Sequence, residues 1–185
     1  MKIAGGEFKG RLIKVPKNPN IRPTTERTRE AIFSALGADI LDINIADFFC
    51  GSGALGLEAL SRGAKSAIFI DSQPGTTAIV RDNILTLGLE GRTKIMNMNV
   101  LAIRPSHITD IGIIFADPPY KSDYAEKLTT LLSLQKFAWY GILVLEHDPK
   151  WNYTGDEFKI AKRIEFGDTG ASILLRLKER LAQGN

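Results

Sequence analysis

Two short segments of the 185-residue chain carry residue types and spacings suited to chemistry. The first runs from Asp47 to Gly56 (DFFCGSGALG), where Gly51, Gly53 and Gly56 match G-x-G-x-x-G. It follows an apolar stretch and opens a helical one, where small residues let a nucleotide cofactor reach the backbone and the helix N-terminus. Asp71 ends the next apolar stretch, 20 positions after Gly51. A carboxylate there can accept hydrogen bonds from both ribose hydroxyls. NAD, FAD and S-adenosylmethionine proteins share the glycine pattern. Asp47 favours S-adenosylmethionine, because NAD loops usually keep that position apolar, whereas a carboxylate suits an amino group and a sulfonium. Asn99 lies just past the third apolar stretch, where its side chain can bond an adenine edge or simply form a turn. The candidate cofactor contacts are therefore Asp47, Gly51, Ser52, Gly53, Asp71 and Asn99.

The second segment is Asp117-Pro118-Pro119-Tyr120, directly after the apolar run IGIIFA. Two successive prolines lack N–H donors and restrict φ, which fixes a rigid turn at a strand's carboxyl end, where α/β proteins bind ligands. The Asp117 carboxylate and the Pro118 carbonyl are both acceptors. Converging on the exocyclic NH2 of a base, they would position it and favour the pyramidal nitrogen needed for attack. The Tyr120 ring offers a stacking surface for an unpaired or flipped base. Alternatively, the segment is a strand-ending turn with a surface Tyr.

Other chemistries find little support. The single cysteine, Cys50, cannot form an intrachain disulfide or a multi-thiolate metal site, and His107 and His147 are 40 positions apart, so no metal is expected. The N-terminus has no apolar h-region and no stretch approaches 18 apolar residues, so a cytoplasmic protein is expected. Trp139, Tyr140 and Trp151 read as packing or rim aromatics, one of which could stack a neighbouring nucleotide.

The elements that must position these residues follow from the apolar pattern. Strands are expected at 45–49, 66–70, 93–98, 111–115 and 141–146, alternating with helices at 55–61, 76–87 and 124–132, which implies a parallel α/β sheet. Segments 158–166 and 171–178 flank Gly167-Asp168-Thr169-Gly170 and read as an antiparallel hairpin. Residues 1–15 suggest a small hairpin or ribbon, and 17–23 (KNPNIRP) a loop. Thr24 or Thr25 would cap a helix whose core face is Ala31, Ile32, Ala35 and Leu36.

A composition of 44% hydrophobic and 24% charged residues is that of an ordinary globular domain, which excludes disorder. The formal charge of +3 is unevenly spread: residues 1–30 hold eight basic and three acidic side chains, net +5, leaving −2 for the rest. A concentrated basic segment suits a polyanionic partner.

Together these motifs resemble the amino-group N-methyltransferases, whose loop is [DNS]-P-P-[FYW]. More closely, IAGGEFKGR, IRPTTERTREAIF, FFCGSGALGLEALSRGA and ADPPY resemble the bacterial small-subunit (16S) ribosomal RNA guanine-N2 methyltransferases of the RsmD type, over nearly the whole chain. The resemblance implies a Rossmann-like class I methyltransferase fold: a mostly parallel seven-stranded sheet with a C-terminal antiparallel hairpin, plus a small N-terminal β-hairpin extension. It implies a basic extension at 1–23 and a methyltransferase domain at 24–185, S-adenosyl-L-methionine as cofactor, and 16S rRNA as partner, bound by a monomer. Asp117, Pro118, Pro119 and Tyr120 would hold the guanine. Arg22, Thr25 and Arg27 fall on the family's RPTT-x-R segment, and with Lys9, Arg11 and Lys14 they would contact RNA. Cys50 stands where relatives often have Ala, and Asp71 where several have Glu. The competing readings are a DNA adenine-N6 or cytosine-N4 methyltransferase, for whose usual target-recognition region little chain remains; an NAD oxidoreductase, opposed by Asp47 and the Asp-Pro-Pro-Tyr turn; and a non-catalytic RNA-binding module.

Overall fold

A computed structural model describes residues 1–16, 26–119, 123–134, 139–166 and 169–177. Its elements are α1 (Glu26–Leu36), β1 (Asn44–Phe48), α2 (Ala54–Ser61), β2 (Ser66–Asp71), α3 (Pro74–Leu87), β3 (Thr93–Asn97), β4 (Ile111–Ala116), α4 (Tyr124–Leu134), β5 (Trp139–His147), β6 (Phe158–Phe166) and β7 (Thr169–Arg176). The seven strands form one sheet in the order β3-β2-β1-β4-β5-β7-β6. The first five are parallel, and β7 is antiparallel to both β5 and β6. This is the expected class I methyltransferase architecture.

Burial explains why the strands read as continuous apolar runs. All six residues of β4 are buried, because helices cover both faces of a parallel sheet. Alternate side chains divide between two cores. Ile45, Ile113, Phe115 and Val144 pack with Phe33 of α1 and Leu57 of α2. Ala46, Phe48, Ile114, Ala116 and Leu145 pack with Leu128 and Leu132 of α4. Because β1, β2, β4 and β5 run parallel, Asp47, Asp71, the Asp117 turn and Glu146 all come to the sheet's carboxyl edge.

The N-terminal segment forms the small ribbon its sequence suggests: the Ile3 N–H donates to the Arg11 carbonyl (3.0 Å), the Gly10 N–H to the Ile3 carbonyl (2.9 Å) and the Ile13 N–H to the Met1 carbonyl (2.9 Å). A lone antiparallel bridge joins Lys2 to Leu12. Other backbone donors of the segment go to α2: the Ala4 N–H donates to Glu58 Oε2 (2.8 Å) and the Phe8 N–H to Ser61 Oγ (2.9 Å). Ile3 and Ile13 are buried in the first core, so residues 1–16 share the body's core. The 23/24 boundary and the Thr24 or Thr25 cap lie outside the described residues.

Helix α1 also differs from its expected face. Thr28, Arg29, Ile32, Phe33 and Leu36 are buried, while Ala31 and Ala35 are only partly so. Arg29 is 1% exposed: its guanidinium donates to the Lys2 carbonyl (2.8 Å) and lies 4.0 Å from Glu58. Glu58, equally buried, also accepts from Arg62 Nε (2.7 Å). One carboxylate thus joins the N-terminal segment, α1 and α2. Glu58→Ala would remove the nearest carboxylate from the buried Arg29 and a partner from Arg62, so urea melts should show a loss of roughly 3 kcal/mol.

Candidate functional site

The glycine segment folds as a tight turn between β1 and α2. Gly51 (φ +53°) and Gly53 (φ +77°) occupy the left-handed region, and α2 starts at the next residue. Gly56 is small for a different reason. A Cβ there would lie 2.4 Å from Phe69 Cε1 and 3.0 Å from Asp47 Oδ2. The close approach lets the Gly56 N–H donate to Asp47 Oδ2 at 2.8 Å. Phe49 holds φ +55°, an uncommon conformation for a bulky residue, of the kind found where surrounding structure imposes strain at a site.

Asp71 is held from the same side. Its Oδ2 accepts the Gly51 N–H (3.1 Å) and its Oδ1 the Gln73 N–H (2.9 Å). Each oxygen keeps a lone pair for another donor. Asp47, Phe49, Gly51, Ser52, Asp71 and Asp117 line a cavity of about 260 Å³ at the carboxyl edge, with Cys50, Gln73, Thr76 and Pro119. The Asp117 N–H donates to the Phe48 carbonyl at 3.4 Å, which ties the Asp-Pro-Pro turn to β1. Pro118 and Pro119 also line a second cavity of about 240 Å³, so Pro119 separates the two spaces.

The electrostatics are unusual at two positions. Burial pushes the Asp47 carboxyl well above the ordinary range; the Gly56 amide opposes this, and Asp71 and Glu146 add to it. Burial likewise raises the Cys50 thiol, with Asp47 and Asp71 reinforcing it, so Cys50 stays a thiol rather than a nucleophilic thiolate. Among the described residues, no His/Cys/Asp/Glu group could hold a metal, and no helix is long and apolar enough to cross a membrane.

Most of the candidate cofactor contacts meet at the first cavity. Asp47, Gly51, Ser52 and Asp71 line it, and Gly53 shapes the turn beneath. Asn99 does not line it: its Oδ1 accepts the Leu101 N–H (2.9 Å) and starts a 3-10 turn. Asp117 and Pro119 border the cavity, whereas Tyr120 lies outside the described residues, as do Arg22 and Thr25. Lys9 and Arg27 are exposed. Arg11 and Lys14 are engaged with α3, Arg11 through the Thr86 carbonyl (3.0 Å) and Lys14 through Asp82 (2.9 Å).

Sequence reasoning missed Asn83. Its buried amide accepts the Lys14 N–H (2.7 Å) and donates to the carbonyls of Lys14 and Ser52, both at 3.0 Å. That bridge carries the N-terminal segment onto the glycine turn, and Val15 and Pro16 become part of the cavity wall. No local pattern marks Asn83, because its partners lie 69 and 31 positions away.

Comparisons with known proteins agree with this geometry. A family model described as "Conserved hypothetical protein 95" matches residues 1–175. The chain is 39% identical to "Ribosomal RNA small subunit methyltransferase D" of Escherichia coli (strain K12) over 132 residues, which covers 71% of this chain and 66%, just under two thirds, of that protein. It is 32% identical to "Putative rRNA methyltransferase YlbH" of Bacillus subtilis over 179 residues, covering 94% and 97%. Among solved structures, "Putative methyltransferase yhhF from Escherichia coli" superposes with a TM-score of 0.83 at 30% identity, covering 95% and 97%.

Folding raises the Asp47 pKa, so the folded chain keeps this proton to higher pH than the unfolded chain and stability falls as pH rises through that interval. Asp47→Asn retains an acceptor for Gly56 and removes the buried charge. Thermal melts should show the variant more stable than wild type at neutral pH, with the difference vanishing below the ordinary carboxylate range.

Proposed function

This chain belongs to the family described as Conserved hypothetical protein 95, the RsmD-type methyltransferases that its motifs resemble, and on that premise we propose that it methylates ribosomal RNA with S-adenosyl-L-methionine. The acceptor is the exocyclic N2 amino group of a guanine in small-subunit (16S) RNA. The observation that carries the reading is the meeting of Asp47, Asp71 and Asp117 at one cavity on the sheet's carboxyl edge.

The donor set fits the cofactor. Two backbone amides fix the Asp71 carboxylate and leave lone pairs for the ribose hydroxyls. The buried Asp47 carboxylate gains a partner when a cationic ligand arrives, directly or through water, which offsets part of its desolvation. When bound, the sulfonium supplies an electrophilic methyl group. The protein's part is therefore positioning, which can contribute on the order of 7–11 kcal/mol in favourable cases. Asp117 and the Pro118 carbonyl accept the two amino hydrogens of guanine and aim the nitrogen lone pair at the first cavity. The base sits in the second cavity, across Pro119. As nitrogen gains the methyl group it becomes cationic, and Asp117 is placed to accept the surplus proton. Cys50 takes no part in bond making.

The RNA-facing charge is smaller than the +5 count, because Arg29 is buried and Lys14 is paired with Asp82. Lys9 and Arg27 carry phosphate contacts on the described surface, joined by Arg22 and Thr25. Their role is affinity rather than base choice.

Asp117→Ala should reduce transfer of labelled methyl groups to small ribosomal subunits by about 100-fold or more, on the scale of losing an electrostatic contact to the reacting group. Its melting transition and cofactor binding should persist. Lys9→Ala with Arg27→Ala should weaken RNA binding and flatten its log–log salt dependence by about 0.7–0.9 per lost phosphate contact. Cofactor affinity, read by titration calorimetry, should not change.

A further inference from the structure

We propose that Asn83 is the positioning residue that couples cofactor binding to RNA binding: by seating Lys14 on α3 it makes Val15 and Pro16 a wall of the cofactor cavity, so that each ligand tightens the other. The assignment rests on the methyltransferase reading above and deepens it, because that reading gives each ligand its own contacts and no link between them.

The N-terminal ribbon carries the chain as far as Ile13, whose N–H donates to the Met1 carbonyl (2.9 Å). At Lys14 a side chain takes over. Asn83 Oδ1 accepts the Lys14 N–H (2.7 Å), and Nδ2 donates to the Lys14 carbonyl (3.0 Å). The other amide hydrogen goes to the Ser52 carbonyl (3.0 Å), inside the glycine turn. Asn83 is 2% exposed. Its bonding pattern admits one orientation of the amide, since a flipped group would set its oxygen against two carbonyls. Arg11 at the Thr86 carbonyl and Lys14 Nζ at Asp82 hold the same segment on α3, but at the surface, where such contacts contribute little.

The place of this clasp joins the two ligands. Val15 and Pro16 directly follow Lys14 and line the first cavity, together with Ser52 of the glycine turn and Gln73 and Thr76 at the start of α3. The proposed RNA contacts flank the same residues in sequence, with Lys9 before them and Arg22, Thr25 and Arg27 after. Two arrangements of the segment suffice for coupling: seated on Asn83, as here, or released from it. A ligand in the cavity meets Val15 and Pro16 only when the segment is seated. RNA that spans Lys9 and Arg27 meets them in a fixed register only then. Each ligand shifts the equilibrium by its differential affinity, and two ligands that favour one arrangement tighten each other by the same factor. Without the Asn83 amide, seating leaves three backbone groups unpaired, which removes its advantage.

The test measures binding to small ribosomal subunits from cells that lack the gene, with and without saturating S-adenosyl-L-homocysteine. Wild type should bind the subunits at least about fivefold more tightly when that ligand is present. Its affinity for S-adenosyl-L-homocysteine should rise by the same factor when subunits are present. In Asn83→Ala the factor should fall to about one while a cooperative melt is retained. Its KM for S-adenosyl-L-methionine should rise with little change in kcat, because Asp47, Asp71 and Asp117 are untouched. An asparagine that only stabilised the fold would lower the melting temperature and leave the factor in place, which would overturn the assignment. A wild-type factor of one would also overturn it. If Asn83→Ala does not fold, Val15→Ala with Pro16→Gly decides, since both side chains are only partly buried. There too the factor should fall, and an unchanged factor overturns the assignment. Wild type that fails to bind either ligand refutes the methyltransferase reading itself, and this assignment with it.

Discussion

The hydrogen bond from the Gly56 amide to the Asp47 carboxylate is the constraint on which the site is built. It joins the end of β1 to the first turn of α2 and so sets where the glycine turn must pass. The bond is possible because residue 56 has no side chain, which also lets Phe69 pack against the turn. The carboxylate is kept in a place where burial disfavours its charge. Sites that must bind cations commonly hold such a charge at a cost in stability. From the fixed turn, Gly51 reaches Asp71, and the Phe48 carbonyl reaches Asp117. Three carboxylates from three neighbouring parallel strands are thereby held around one cavity.

A second layer of polar contacts holds the N-terminal segment against this framework. Glu58 and Ser61 of α2 take its backbone amides, Arg29 takes a carbonyl, and Asn83 of α3 clasps Lys14. Because Asn83 also bonds the Ser52 carbonyl, the segment that carries Lys9 is mechanically continuous with the glycine turn. The segment proposed to contact RNA thus also forms part of the cavity's wall, through Val15 and Pro16.

Much of this was legible in the sequence, for identifiable reasons. A parallel strand covered on both faces reads as an apolar run, so β4 is recognisable from IGIIFA. Its end is marked by a proline pair whose backbone allows few alternatives. Gly51, Gly53 and Gly56 are legible because their backbone conformations and close packing admit little else. Where the expectations departed, long-range polar partners decided. The N-terminal ribbon pairs as its pattern suggests, but what docks it is long-range: Glu58 and Ser61, more than 50 positions away, accept its Ala4 and Phe8 amides. Arg29 enters the net charge of residues 1–30, yet it turns inward to Glu58, and Ala31 and Ala35 of the expected face are only partly buried. Asn99 had two readings of equal standing, and its side chain caps a turn outside the cavity lining. Local pattern carries no record of such partners.

Mass-spectrometric mapping of the methylated nucleosides of small-subunit RNA, from cells with and without this gene, tests the central claim most directly. The expected result is the loss of an N2-methylguanosine on deletion and its return with the wild-type gene. An unchanged N2-methylguanosine content, or loss of an adenine or cytosine methylation instead, would contradict it.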